Sequence, residues 1–499
     1  MQDFDAIVIG SGIGGLVAGS MLARYGKRVL VCESHTIAGG AAHSFSRRGF
    51  HFDSGPSFYC GLTDPQSLNP LSQVLNMLEE SIAAISYDPL GHYHFPEGSL
   101  PVYADARNYL DAVAKFTPQG AKELHRFQEN LLVLYEALRG IPALALRSDW
   151  QLISVLLSRY SPALLKLLPL VGTIAGSAGT LMDRDVRDPW VRRLIDLECF
   201  LLSGLKAHET VAPEIAFMIG ERSHSAIEYP VGGSGAIVDA LVRGLQRWGG
   251  KLCLGTPVEQ ILVESGKTTG IRLQNGEIIQ APIVISNATV WDTYTKLLRP
   301  EDLPESYRKN SLSMPAVDSF MHLHLGIKAE GLEGLTGHHV VVHDSKVDIT
   351  VPGNTCMISI PTVWDATLAP PGHHAIHAYT LEPYAGWEYG DGYQERKRER
   401  SQSLFQALEK IIPDLRSRIV LESIGTPLTH ARFLHRYQGT YGPAIAAGKG
   451  TFPGPQTPVK GLYRVGDSTM PGIGVPAVAA SGILCANTLV NSDLTAQFL

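Results

Sequence analysis

The sequence predicts an α/β fold in which a domain built on a parallel sheet is interleaved with a second, α+β domain. Three observations predict it. The chain opens on an apolar run, a glycine-rich turn, a helical stretch and a second apolar run ending in an acid. Near its end stand a strand, a Gly-Asp pair and another glycine-led helix. Between them the strand–helix rhythm is lost after residue 75, returns near 226 and is interrupted again after 304.

Ala6-Ile7-Val8-Ile9 is a short apolar run suited to a buried parallel strand. Gly10, Gly12 and Gly15 follow on the G-x-G-x-x-G spacing. Gly10 permits the tight turn, Gly12 lets a pyrophosphate approach the backbone, and Gly15 lets a helix pack closely on the strand. Gly14 heads that helix, expected over 14–25 with a stop at Gly26. Its free amides and dipole favour an anion. Val29-Leu30-Val31-Cys32 is the second strand, and Glu33 ends it where a carboxylate accepts ribose hydroxyls. The unit is thus a Rossmann-type dinucleotide site. The double glycine Gly39-Gly40 lets backbone approach a flat ring system. Phe50-His51-Phe52 alternates as a strand that delivers Asp53, Ser54 and Gly55 to that ring. An NAD domain would continue in ordinary strand–helix repeats. This segment therefore points to FAD, in a glutathione-reductase-like domain, with an ordinary glycine-rich loop as the alternative.

A chain of 499 residues implies two or three domains. Hydrophobic residues are 44%, charged residues only 18%, and mean hydropathy is +0.04. That balance suggests a large apolar interior, an apolar ligand or contact with lipid. A net charge of -6 leaves no electrostatic footprint for nucleic acid. The six cysteines (32, 60, 199, 253, 356 and 485) show no metal spacing and read as reduced core thiols. Residues 1–4 lead straight into the first strand, without room for a signal or transit peptide, so the expected location is cytoplasmic.

Helical periodicity governs 76–225, as in 120–138 and 189–205. Its most apolar part, 151–182, is interrupted by Arg159, Pro162, Lys166 and Pro169. A spanning helix needs about 20 apolar residues, so this one is too broken. It fits either helices lying in a membrane interface or a buried core. Gly232-Gly233 offers a second glycine fingerprint, but without an apolar strand before it or a third glycine it is rejected as a dinucleotide site. An amphipathic helix is expected over 237–248, a hairpin from 258–263 and 269–273, and a returning parallel strand over 283–288. Val258 and Asn287, at the edges of these strands, complete the cofactor set.

In the 305–415 block, His322, His324, His373, His374 and His377 have no carboxylate or Cys to complete a ligand set. They read as satisfied or exposed histidines, with no metal site. Glu395 to Arg400 opens a helix whose apolar face is Leu404, Phe405, Leu408, Ile411 and Ile412. Near the end, a strand leads to Gly466-Asp467, where a carboxylate suits the ribityl or pyrophosphate side of FAD. Gly474 and Val475 then head a helix expected over 477–490, whose amides face the pyrimidine edge of the flavin. The expected division is 1–75, 226–304 and 416–499 for the FAD-binding domain. Residues 76–225 and 305–415 form the expected substrate domain, with 151–182 supplying either membrane-contact helices or core.

Together, Gly10 to Glu33, Gly39-Gly40, Phe52-Asp53-Ser54-Gly55-Pro56, Gly232-Gly233 and Gly466-Asp467-Ser468 through Ala479-Ala480-Ser481-Gly482 resemble the FAD-dependent carotenoid desaturase and isomerase superfamily. It also holds retinol saturases and, more distantly, amine oxidases. The likeness is nearest to the carotenoid (prolycopene) isomerase-like branch of cyanobacteria and plastids. Bacterial phytoene desaturases and amine oxidases commonly carry Arg after the double glycine, where this chain has Ala41. The resemblance implies an apolar polyene substrate, either desaturated or isomerised between cis and trans. The cofactor does the chemistry while the protein binds and orients, which fits a sequence without a Ser/His/Asp set or an assignable catalytic residue. It also implies peripheral contact with a thylakoid or plasma membrane on the cytoplasmic side. Electrons would pass to or from a quinone, oxygen or an external donor. The alternatives are a retinol-saturase-like reductase and a flavin amine oxidase, whose aromatic cage would draw on Tyr59, Tyr437 and Tyr441. A non-catalytic prenyl-binding escort protein is disfavoured by the intact glycines, Glu33 and Asp467.

Overall fold

A computed structural model describes residues 4–55, 57 and 59–499; Met1 to Asp3, and Pro56 of the motif above, lie outside the described residues. Five short strands build the first sheet: β1 (Ala6–Ile9), β2 (Val29–Cys32), β3 (Lys251–Cys253), β4 (Ile283–Ser286) and β5 (Leu462–Arg464). Their order is β3-β2-β1-β4-β5, and every neighbouring pair is parallel. β1 and β2 are buried throughout, as continuous apolar runs in a sheet covered on both faces should be.

Three helices cover one face: α1 (Ile13–Arg24), α2 (Ser234–Arg247) and α3 (Val475–Thr488). Leu16, Val17 and Met21 of α1 meet Leu241 of α2 and Ile483 of α3 in one core. A Cβ at Gly482 would stand 2.7 Å from the Gly14 carbonyl, so α1 and α3 approach at near-backbone contact. The other face carries a three-stranded antiparallel sheet, 258–264, 267–273 and 278–280, whose Ile261 and Ile271 pack on Ile7 and Val284.

The second half of the fold is a seven-stranded mixed sheet in the order 419–425, 319–328, 373–382, 355–359, 338–342, 91–95, 98–102. A helical layer lies beside it. Its longest member, Pro118–Leu138, starts with Thr117 accepting from the Gly120 amide and proline in the first turn.

Several expectations change. The strand Ile419–Gly425 belongs to the seven-stranded sheet, pairing Gly425 with His322, so the boundary expected at 415/416 lies later. A buried strand, Ile227–Pro230, does precede Gly232-Gly233; it is antiparallel to its neighbours and carries Glu228, which hides it from an apolar-run search. The helix expected after Glu395 is two helices, Tyr393–Arg400 and Gln402–Glu409, divided at Ser401. All six cysteines are free, but Cys253 is exposed rather than in the core. The 151–182 stretch breaks into four short helices, and Gln151–Arg159 meets the following unit at 98°. Among the described residues, no single helix is long and apolar enough to cross a membrane.

Candidate cofactor and active site

The C-terminal ends of β1, β2 and β4 open into a cavity of about 410 Å³, the position where open parallel sheets hold ligands. Gly10, Gly12, Glu33, Gly40, Val258 and Asn287 all line it. Asn287 is its hinge: a Cβ at Gly12 would stand 2.6 Å from Asn287 Nδ2, and one at Gly466 2.7 Å from Asn287 Oδ1. Gly15 is fixed more tightly, its Cβ falling 2.3 Å from the Gly10 carbonyl oxygen. Gly39 bridges to Gly12 across the cavity wall.

The remaining candidates lie behind or beside this lining. Gly14 packs on Gly466, whose amide donates to Ser481 Oγ at 2.8 Å. Ser54 Oγ reaches the carbonyls of Ala41 and His43 at 3.1 and 2.8 Å, and a Cβ at Gly55 would meet the Ala41 carbonyl at 2.4 Å. Gly474 has φ +104 in open space, so its backbone conformation rather than packing selects glycine there. Val475 begins α3, whose N-terminus has no capping side chain.

Glu33 is nearly buried, and its carboxylate is fully subscribed. Oε2 accepts from the Ser11 amide and hydroxyl, both at 2.7 Å, and Oε1 from the His35 amide at 2.8 Å and the Ser34 hydroxyl at 3.2 Å. A carboxylate offers about four lone-pair sites, so ribose hydroxyls reach it only when Ser11 and Ser34 Oγ turn away. Asp467 also has a partner, the guanidinium of Arg436.

The glycines at 232 and 233 lead into α2, but its N-terminus is already filled. Asp53, fully buried, accepts from the Ser234 amide and Tyr229 hydroxyl at 2.8 Å and from Ser44 Oγ at 2.7 Å. A Cβ at Gly233 would press on Asp53 Oδ1 at 2.7 Å. The strand Phe50–Asp53 thus delivers its acid to a helix N-terminus, where burial holds the carboxyl above its ordinary range.

A profile of the family described as flavin containing amine oxidoreductase matches residues 13–490. The prolycopene isomerases of an Oncidium hybrid cultivar are 37% identical over 504 residues, covering 99% of this chain and 84% of theirs. That of Arabidopsis thaliana is 36% identical, covering 97% and 82%. The chain belongs to the flavin-containing amine oxidoreductase family, alongside its carotenoid isomerases and desaturases. A neurosporene-forming phytoene desaturase of Rhodobacter capsulatus is 28% identical over 97% of this chain and 93% of its own. A double mutant of putrescine oxidase shares the fold at a TM-score of 0.65 and 14% identity, covering 99% of each chain. The family is flavin-containing, and the cofactor of this flavoprotein is FAD.

Within this family, an amine-oxidase cage would require facing aromatic rings. Tyr437 instead stacks on Trp291 at 4.9 Å, Tyr441 packs edge-on against Phe320 at 4.8 Å, and Tyr59 shares a hydrogen bond with Ser234. No ring contact joins the three among the described residues.

The histidines are more organised than their spacing suggested. His322, His324 and His377 bring ligand atoms within 4.8 Å of one another. Yet the rings of His324 and His377 stack at 4.5 Å and within 3° of parallel, and His430 stacks on His322 at 4.3 Å. Lone pairs lying in parallel planes do not converge on one ion. Burial holds these imidazoles neutral, His324 down to about 4 and His430 to about 3. They are not all satisfied, as His322 Nε2, His377 Nδ1 and His430 Nδ1 are buried without a partner. Residues the sequence reading missed are Ser11, His43, Thr289, Asp292 and Arg436; only Ser11, inside the glycine turn, carries a local signal.

Proposed function

We propose that this flavoprotein converts a carotenoid or related apolar polyene, and that the reaction is cis–trans isomerisation. The observation that carries this reading is the 36–37% identity, over nearly the whole chain, to prolycopene isomerases, against 24–28% for phytoene desaturases. When bound, FAD supplies the redox chemistry that isomerisation or desaturation needs. The chain's own part is to seat it. Gly10, Gly12, Gly14 and Gly15 present the α1 amides to the diphosphate, and Glu33 takes the ribose once Ser11 and Ser34 release it. Gly39, Gly40, Ser54 and Gly55 would bring backbone to the ring, and Val258 and Asn287 would line the same cavity. Gly466, Asp467, Gly474 and Val475 would close the ribityl and pyrimidine side.

Delivery of such a substrate favours contact with a membrane surface. Trp150, Ile153 and Leu165 are 78%, 65% and 67% exposed, and Leu157, Leu168 and Val171 extend the same broken helices. Arg159 and Lys166 stand among them, suited to lipid headgroups. With the α2 N-terminus filled by Asp53, reducing equivalents come from outside the chain, and a membrane quinone is the proposed exchange partner.

Purified protein incubated anaerobically with mixed cis-carotenoids tests the reaction. A shift toward trans isomers that requires reduced FAD supports isomerisation, new conjugated bonds would move the reading to desaturation, and unaltered polyenes would overturn it. Leu165→Glu with Leu168→Glu should lower co-sedimentation with anionic vesicles several-fold while the protein stays folded.

A further inference from the structure

We propose that Arg436 is a ligand of the cofactor's diphosphate. The inference rests on the FAD assignment and adds a residue that neither the glycine turn nor the Gly-Asp pair indicates. A diphosphate brings two negative charges into the cavity, and the charged side chains that line it are Glu33, Glu259, Asp292, Lys296 and Arg436. Acids outnumber bases there. Lys296 pairs with Asp292 at 2.8 Å and its side chain is 66% exposed, whereas that of Arg436, also paired with an acid, is only 15% exposed. Ala41, directly after the double glycine, offers no charge. Arg436 is the one arginine lining the cavity among the described residues.

Its placement suits the task. Phe433, Leu434, His435 and Arg436 enter the cavity as a continuous stretch after the helix Pro427–Phe433. Arg436 Nε donates to the Thr440 carbonyl at 2.6 Å, and Nη2 pairs with Asp467. Asp467 follows Gly466, whose backbone lies against Gly14 in the first turn of α1. The guanidinium is thereby held by the residue that follows Gly466, and Nη1 has no hydrogen-bond partner among the described residues. His435 and Gln438, on either side, both hold the left-handed conformation at φ 49, unusual for residues with side chains. Arginine suits phosphate because its planar fork offers parallel donors to two oxygens.

The test is titration of apoprotein with FAD by quenching of flavin fluorescence, and with ADP by calorimetry. Two neutral variants, Arg436→Gln and Arg436→Met, are compared with Arg436→Lys, and the thermal midpoint of each apoprotein is measured alongside. The neutral variants should raise Kd for both ligands roughly 10- to 100-fold, the loss of a charge-assisted hydrogen bond. Lysine should raise it less than about tenfold, with riboflavin binding unchanged throughout. A folded neutral variant that binds FAD within threefold of wild type would overturn the proposal, as would a lysine variant no better than the neutral ones. Failure of the wild-type apoprotein to take up FAD would instead remove the cofactor assignment.

Discussion

Helices α1 and α2 both start behind glycines, both pack on the same core, and their N-termini meet opposite fates. The α1 terminus has no side-chain cap and looks into the cavity at Gly10 and Gly12. The α2 terminus holds the Asp53 carboxylate, with the Ser234 amide on one oxygen and the Gly235 amide on the neighbouring Ser44 hydroxyl. Every helix start leaves unsatisfied amides and a partial positive charge. Whether it becomes a ligand site depends on whether the chain's own acid reaches it first. A glycine pair before a helix signals an anion, without saying whose.

The comparison breaks hardest at Gly15. In Gly15→Val the new side chain meets the Gly10 carbonyl, which is backbone and has nowhere to move. A destabilisation of roughly 3–5 kcal/mol is expected, seen as loss of soluble yellow protein. Asp53→Ala should strike the other terminus, stranding the Ser234 amide and the Ser44 and Tyr229 hydroxyls at about 3 kcal/mol of unfolding free energy. Its FAD dissociation constant should stay within about threefold of wild type on the independence of the two termini; a parallel collapse of FAD binding would show the termini to be coupled. Glu33→Gln should lower FAD affinity about tenfold, near 1.4 kcal/mol, read by flavin titration.

The last effect is read against pH and concerns the sheet behind Asp53, where His324 Nε2 lies 3.3 Å from the Asp53 carbonyl. His324 has its folded pKa depressed to about 4 by burial, below the usual 6.5. Its contribution to stability is therefore present above pH 6.5 and lost as pH falls toward 4, because the unfolded chain takes the proton first. The slope is at most roughly 1.4 kcal/mol per pH unit. His324→Phe should flatten the pH dependence of chemical unfolding in that window by up to this amount.

The parts legible in sequence are those whose signal is local. β1, α1, β2 and Glu33 fall within one stretch of period and glycine spacing, and the 258–273 hairpin and the Gly466 to Val475 turn read in the same way. What escaped is made of contacts distant along the chain. Asp53 meets the Ser234 amide across 181 positions, and Arg436 meets Asp467 across 31. No periodicity links such pairs. The strand Ile419–Gly425 escaped because its partner, not its composition, decides which sheet it joins. The stacking of His322, His324, His377 and His430 escaped because alternation shows that rings share a face, but not that they stack in parallel.

The strand order has a consequence for how the protein is made. β4 pairs with β5 along one edge, and α1 packs against α3, yet β5 and α3 come from residues 462–488. On a growing chain the first βαβ unit can form early, but the apolar flank of α1 and the outer edge of β4 stay bare until those residues emerge. Such surfaces are sticky, and sheets that wait for distant strands fold slowly. The sheet and the helix layer over it are then complete only once those residues emerge, and a chain cut short before residue 462 is expected to aggregate rather than persist as a weakened enzyme.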